Sequence, residues 1–175
     1  IFCSVVFLIS LIHFRSVFNS FAFIYVFTSI CLFHLFLSSE FLSENYSFVY
    51  FFASIIIITD TAGYFFGKIL KGPRPFKRLS PNKTLSGYFG GLSMSLLLGV
   101  CWPLHYELGR YVLIVSAMVF CLSVQAGDLL ESGLKRRLKV KDSGSIFPGH
   151  GGFLDRFDGF IASVFGLYGI SFLYE

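Results

Sequence analysis

Residues 48–70, FVYFFASIIIITDTAGYFFGKIL, form an apolar run that is interrupted by one acid, Asp60. A helix that crosses the hydrocarbon core of a bilayer needs about 20 mostly apolar residues, and this run is long enough. In such a helix Asp60 lies roughly 15 Å from the end at residue 70. A carboxylate at that depth costs about 2.5–3.5 kcal/mol, so we expect Asp60 to face a polar cavity. The alternative is a hydrogen bond between packed helices.

The rest of the chain is similarly apolar. Hydrophobic residues make up 55% of the 175 residues, charged residues 14%, and the mean hydropathy is +0.74, which is outside the range of soluble globular domains. Further apolar runs lie at about 17–37, 85–103, 108–127 and 157–174, and the shorter run over 1–14 indicates a clipped transmembrane helix. These patterns predict an all-α polytopic membrane protein with about six transmembrane helices.

Positive charge is concentrated in two of the polar breaks between these runs. Twelve of the fourteen Lys and Arg residues lie within 68–83 or 135–156. Two spans separate these breaks, so both lie on one membrane face, which the positive-inside rule makes cytoplasmic. The positive charge alone would be explained by orientation and by attraction to anionic lipid headgroups.

Acidic residues lie at the same boundary. Asp128 and Glu131 follow the span 108–127 and share one helix face, because they are three residues apart. Lys135, four residues after Glu131, predicts an ion pair with it. That arrangement leaves Asp128, the acid nearest the membrane, without a partner.

A second acidic pair, Asp155 and Asp158, repeats this spacing at the start of the last span, where a helix N-terminus favours anions. Asp158, which a glycine follows, is alternatively a capping residue. With Asp60 and Asp128, these acids come from three helices at one membrane boundary. Hard oxygen ligands surrounded by basic residues suit Mg²⁺ that is shared with substrate phosphates, in a polar cavity that faces the cytoplasm.

The loop between the acidic pairs, KDSGSIFPGHGGF at 141–153, is rich in glycine. Glycines allow positive φ and the close approach of backbone N–H groups to an oxyanion, and the loop leads into a helix N-terminus. The Walker A pattern is absent, and His150 without a nearby thiolate is a poor zinc ligand. His150 either donates to a phosphate oxygen or holds the turn together. The loop therefore predicts a phosphate site against the bilayer.

The residues around this loop match a known pattern. Ser132 to Gly144 and Pro148 to Asp158 fit S-x-x-K-R-x-x-x-x-K-D-S-G followed by P-G-H-G-G-x-x-D-R-x-D at every fixed position. This is the signature of the phosphatidate cytidylyltransferase (CDP-diacylglycerol synthase) family, which the chain resembles over about residues 50–175. Family members commonly have an aromatic residue and a glutamate where this chain has Leu85 and Ser86, a departure that removes whatever the glutamate contributes.

The resemblance implies a Mg²⁺-dependent enzyme that transfers a cytidylyl group from CTP to phosphatidic acid, giving CDP-diacylglycerol and pyrophosphate. It assigns Asp128 and Asp155 to the metal. The other residues that we expect to act in catalysis are Asp158, Lys141 and His150. Those that we expect to contact substrates or to complete the cavity are Asp60, Lys83, Lys135, Arg136, Ser143, Gly151, Gly152 and Arg156.

On this interpretation residues 48–175 form the catalytic transmembrane domain, with cytoplasmic loops at 71–84 and 128–156, and residues 1–47 hold N-terminal transmembrane helices. The resemblance also implies a homodimer and a second, monovalent cation such as K⁺, in a bacterial cytoplasmic membrane. The bilayer is a partner, and no nucleic-acid partner is expected. The alternatives are a related CTP-dependent enzyme for another lipid phosphate or a lipid alcohol, a cation transporter, and an inactive membrane scaffold.

Overall fold

The computed structural model describes residues 17–38, 47–103, 109–137 and 154–171, and describes side chains over 24–38, 47–103, 109–137 and 158–170. Its helices are α1 (Val17–Leu37), α2 (Ser47–Leu70), α3 (Leu85–Cys101), α4 (Arg110–Arg137) and α5 (Leu154–Ser171). All regular structure in these ranges is helical, which confirms the predicted all-α class. The prediction for residues 1–14 lies outside the described residues.

Two helices, α2 and α4, are long and apolar enough to cross a membrane by length and composition. Shorter apolar stretches lie in the other three, at Ile24–Leu37, Leu85–Cys101 and Asp158–Ile170. The helix positions agree with the predicted runs, with one difference of consequence. The segment 128–156, which we predicted as a loop, is helical at both ends, because α4 continues to Arg137 and α5 begins at Leu154.

The extension of α4 has a local cause. Its last turn carries Lys135, Arg136 and Arg137, which interact favourably with the negative end of the helix dipole. An ion pair between Lys135 Nζ and Glu131 Oε1, 3.1 Å apart, spans one turn of the same segment. The polar residues after the apolar run therefore continue the helix instead of ending it.

Aromatic side chains form the centre of the helix packing. Phe52 of α2 meets Phe120 of α4 edge to face with ring centroids 5.0 Å apart, and both side chains are buried. Phe160 of α5 lies 5.9 Å from Phe52, and Phe33 of α1 lies 5.3 Å from Phe160. Four helices thus converge on one aromatic cluster.

Glycines bring two pairs of helices into backbone contact near the cluster of acids. A Cβ placed on Gly87 of α3 would lie 2.6 Å from the carbonyl oxygen of Gly63 in α2. A Cβ placed on Gly127 of α4 would lie 2.8 Å from the carbonyl oxygen of Asp158 in α5. Real side chains do not fit at either position, so glycine is needed for α2 to pack on α3 and for α4 to pack on α5 at these distances.

Buried and half-buried polar side chains add hydrogen bonds between helices α2, α3 and α4. Thr59 Oγ1 and Ser95 Oγ are 2.8 Å apart and both side chains are buried. Gln125 Nε2 of α4 donates to the backbone oxygen of Tyr88 in α3 at 3.0 Å. In an apolar environment such bonds fix the rotation of one helix against the next.

The loop 71–84 connects α2 to α3. It begins with positive φ at Lys71 (52°) and Gly72 (116°). Ser86 Oγ donates a hydrogen bond to the backbone oxygen of Lys71, and Thr84 caps α3 by accepting from Gly87 N at 3.3 Å. These bonds hold Lys83, the residue before the cap, beside helix α4.

Candidate active site

A cavity of about 880 Å³ opens where α2, α3, α4 and the start of α5 meet the loop 71–84. Its charged lining falls into two groups. The acids are Asp60, Asp128, Glu131 and Asp158, and the bases are Lys68, Lys71, Arg74, Lys83 and Lys135. Four carboxyl groups and five cations around one space, beside apolar helices, fit an anionic ligand with a metal better than an apolar one.

The acids come from three helices, as the sequence predicted. Asp60 lies in α2, ten residues before its last residue, and it lines the cavity instead of packing against a neighbouring helix. Asp128 lies in α4 and Asp158 in α5, four residues after the start of that helix. The expected convergence of these three acids is confirmed.

Asp158 is not the capping residue that we considered as an alternative, because α5 begins four residues earlier, at Leu154. Its Oδ1 accepts a hydrogen bond from Gly159 N at 2.8 Å. Its side chain lies beside that of Glu131, which is 5% exposed and pairs with Lys135. The predicted ion pair between Glu131 and Lys135 is thus confirmed. However, Glu131 also connects α4 to α5 at the cavity wall, which the sequence did not indicate.

Asp128 has a partner, contrary to the expectation from the spacing on its own helix. Lys83 Nζ forms an ion pair with Asp128 Oδ2, and Ser132 Oγ lies 3.5 Å from Oδ1. The expectation was wrong because it considered only α4, whereas the lysine comes from the loop before α3, 45 residues earlier. The side chains of Lys83 and Asp128 are 28% and 32% exposed, so the pair lies on the cavity wall within reach of solvent.

Arg136 has a different position from the one expected. Its Nε donates to the backbone oxygen of Leu79 at 3.4 Å, and the residue does not line the cavity. This bond ties the end of α4 to the loop 71–84. A role for Arg136 in phosphate binding stays a prediction.

Several predicted site residues cannot be compared with the structure. Lys141, Ser143, His150, Gly151 and Gly152 lie outside the described residues. Asp155 and Arg156 fall in the first turn of α5, and their side chains are outside the description.

The donor set can be tested against the expected metal. Within the described ranges, no three His, Cys, Asp or Glu side chains form a group that could hold a metal ion. Mg²⁺ needs fewer protein ligands than this, because it keeps waters and takes phosphate oxygens, with one or two carboxylates from the protein. Asp128 on the cavity wall is one such carboxylate, and the assignment of Asp155 as a second ligand stays a prediction.

Several cavity residues were missed by the sequence analysis, among them Gln125, Tyr88 and Arg74. Gln125 lies three residues before Asp128, so helical spacing would have placed it on the same face. Tyr88 lies one turn into α3, and its ring centroid is 5.8 Å from Lys83 Nζ, a cation–π contact. Arg74 was counted only as part of a basic loop. Of these three residues, only Gln125 could have been found from the sequence, by its helical spacing from Asp128.

Comparison with known proteins shows which family the sequence matches. The model of the cytidylyltransferase family matches residues 1–173. Phosphatidate cytidylyltransferases of Staphylococcus epidermidis and Staphylococcus aureus are 41% identical to the chain over 121 residues, which is 68% of this chain and 46% of each relative. The same enzyme of Staphylococcus saprophyticus is 39% identical over 121 residues. The chain thus spans about half the length of the curated relatives it matches.

Proposed function

The chain belongs to the cytidylyltransferase family, and from this premise we propose that it transfers a cytidylyl group from CTP to phosphatidic acid, giving CDP-diacylglycerol and pyrophosphate. The observation that carries the proposal is the single cavity in which carboxylates of three helices meet cations of two basic segments. The name of the Staphylococcus relatives, phosphatidate cytidylyltransferase, supports the choice of acceptor.

In this reaction an oxygen of the lipid phosphate attacks the α-phosphorus of CTP. The bond from that phosphorus to the oxygen bridging the α- and β-phosphates breaks, and pyrophosphate leaves with the electron pair. The nucleophile is already ionised, so no strong general base is needed. Because both reactants are anions, catalysis depends on positioning and on screening of charge.

The cations of the cavity suit this screening. Lys71 and Arg74 come from the loop after α2, while Lys135 comes from α4 on the other side of the cavity. Cations on both sides can contact a triphosphate and a lipid phosphate at the same time. In this proposal, backbone N–H groups of the glycine-rich sequence at 149–152 would add donors for the same phosphates.

Asp128 and Asp155 would hold Mg²⁺ in this proposal. When bound, the ion would neutralise charge on the phosphates and on the departing pyrophosphate. Asp60 and Asp158 would keep the cavity polar at the depth of the apolar helices, so that a phosphate can enter it from the headgroup layer.

The proposal includes the membrane arrangement expected from the sequence. About six transmembrane helices would place the cavity at the cytoplasmic face of a bacterial inner membrane, where CTP is available. The basic loops 68–83 and 135–156 support this orientation through the positive-inside rule. On the family resemblance, we also propose that the protein is a homodimer and binds a second cation such as K⁺.

The test is incorporation of labelled CTP into chloroform-extractable lipid by the chain in phosphatidic acid vesicles. Label at the α-phosphate should enter lipid in a Mg²⁺-dependent way, and label at the γ-phosphate should not. The variant Asp155→Ala should lose the product, while Glu44→Ala, in the polar break without basic residues, should keep it. Transfer of the γ-label instead would indicate a lipid kinase. No lipid product from folded protein would exclude the enzyme assignment.

A further inference from the structure

The ion pair between Lys83 and Asp128 joins two groups that the proposed reaction would use separately. Asp128 is one of the two carboxylates assigned to the metal, and its Oδ2 is already paired with an ammonium group. Lys83 is a cation that lines the cavity and is assigned to phosphate. Neither group can take its ligand in full while the two are paired.

We propose that Lys83 is an exchangeable counter-ion, which neutralises Asp128 while the site holds no metal and moves to a nucleotide phosphate when a divalent cation takes Asp128. This inference rests on the proposed function for the identity of the nucleotide. It assigns a role to the pair itself, beyond separate roles of the two residues.

The surroundings of the pair suit such an exchange. The backbone after Lys83 is held by the Thr84 cap, so only the flexible side chain has to move. The face of Tyr88, with its centroid 5.8 Å from Nζ, offers the ammonium a second contact that does not depend on Asp128. The other charged groups on the cavity wall are the acids Asp60, Glu131 and Asp158 and the cations Lys68, Lys71, Arg74 and Lys135. Asp60 and Asp158 lie within electrostatic range of Lys83 and attract its ammonium group independently of Asp128.

The pair is also accessible enough to exchange. Both side chains are about one-third exposed, so water and ions reach them, and an ion pair in that position is weak compared with a fully buried one. By contrast, Glu131 is 5% exposed, and its pair with Lys135 is the more buried of the two. Two acid–lysine pairs in one cavity thus differ in burial, and only the more exposed one includes a proposed metal ligand.

An exchange of this kind couples the two ligands. A divalent cation releases Lys83 for the nucleotide, and a nucleotide that draws Lys83 away opens Asp128 to the cation. The coupling is reciprocal by thermodynamic necessity. It predicts that removing Lys83 strengthens binding of the divalent cation at Asp128. It also predicts that removing Asp128 strengthens binding of the nucleotide at Lys83.

The first arm of the test measures Mn²⁺ binding alone, without nucleotide, by electron paramagnetic resonance of the purified chain in nanodiscs. Lys83→Met should bind Mn²⁺ about threefold or more tightly than wild type, because the competing ammonium is gone. Lys77→Met, which removes the same charge from an exposed position in the same loop, should change the affinity less. Lys83→Arg keeps the charge and should bind Mn²⁺ nearly as wild type does.

The second arm measures CTP binding in EDTA. Asp128→Asn should bind CTP about threefold or more tightly than Asp60→Asn, although both variants remove one negative charge from the cavity. The proposed exchange would be overturned if Lys83→Met and Lys77→Met bound Mn²⁺ equally tightly. It would also be overturned if the two asparagine variants bound CTP equally tightly. If neither wild type nor any variant binds CTP, the proposed function fails, and the Mn²⁺ arm still decides whether Lys83 competes for Asp128.

Discussion

Replacing Gly127 with alanine should reduce activity far more than it reduces stability. The added Cβ would collide with the side chain of Ala162 and would lie 2.8 Å from the carbonyl oxygen of Asp158, whereas ordinary contacts begin near 3.4 Å. Neither neighbour is a flexible side chain, so α4 and α5 must separate by roughly 1 Å to relieve the overlap. That movement displaces Asp128 from the acids of α5.

The magnitudes follow from this displacement. Overpacking costs about 1–3 kcal/mol, and the higher helix propensity of alanine returns about 1 kcal/mol, so the net loss of unfolding free energy is about 0–2 kcal/mol. A 1 Å error in the placement of reacting groups costs about 100-fold in rate. Activity is measured as α-label from CTP in extracted lipid, and stability as thermal unfolding followed by the fluorescence of the single tryptophan, Trp102.

Gly133→Ala is the matched control for this prediction. It lies on the same helix, and its Cβ would meet only the side chain of Leu79, at 3.7 Å. This variant should keep wild-type activity and gain up to about 1 kcal/mol in stability from helix propensity. If Gly127→Ala stays within about threefold of wild-type activity, close packing of α4 on α5 does not position the site and the reasoning is wrong.

Three further outcomes are expected, each measured by the same unfolding assay. Lys135→Met should lower the unfolding free energy by about 1–3 kcal/mol, because it removes the cation beside buried Glu131. Adding Glu131→Gln to this variant should restore most of the lost stability. If it does not, loss of the ion pair is not the cause of the destabilisation. Thr59→Val should cost only about 0.6 kcal/mol, the average for a hydrogen bond between membrane helices, and should cost nothing further in a Ser95→Ala background. Gly72→Ala should cost about 1–3 kcal/mol because its φ of 116° strains a side chain, and an unchanged midpoint would contradict that conformation.

The local parts of the fold could be predicted from the sequence. The length of the run 48–70 predicted the helix α2, and the free energy of burying a charge predicted that Asp60 faces a cavity. Helical spacing predicted the pair of Glu131 and Lys135. Each of these inferences depends on neighbours within one helix, where the 3.6-residue period determines which side chains meet.

The contacts between distant segments could not be predicted in this way. Nothing in the spacing of α4 indicates that Lys83 pairs with Asp128, because that contact depends on the loop conformation at Lys71 and on the cap at Thr84. The contact made by Ser86, where the chain departs from the family pattern, could not be predicted from the sequence either. The sequence shows only the absence of a glutamate, whereas the structure shows a hydroxyl that donates to the backbone of the loop.

In the proposed membrane arrangement, the continuation of α4 to Arg137 makes the depth of the site depend on the bilayer. One rigid helix carries an apolar span and, beyond it, the acids and bases from Asp128 to Lys135, which extend over roughly 10 Å of helix axis. A thicker or thinner bilayer would shift this helix as a unit or tilt it. The charged groups would keep their distances from one another while the headgroup layer moved past them. Turnover would then vary with the chain length of the surrounding lipid, even when the acyl chains of the acceptor stay the same.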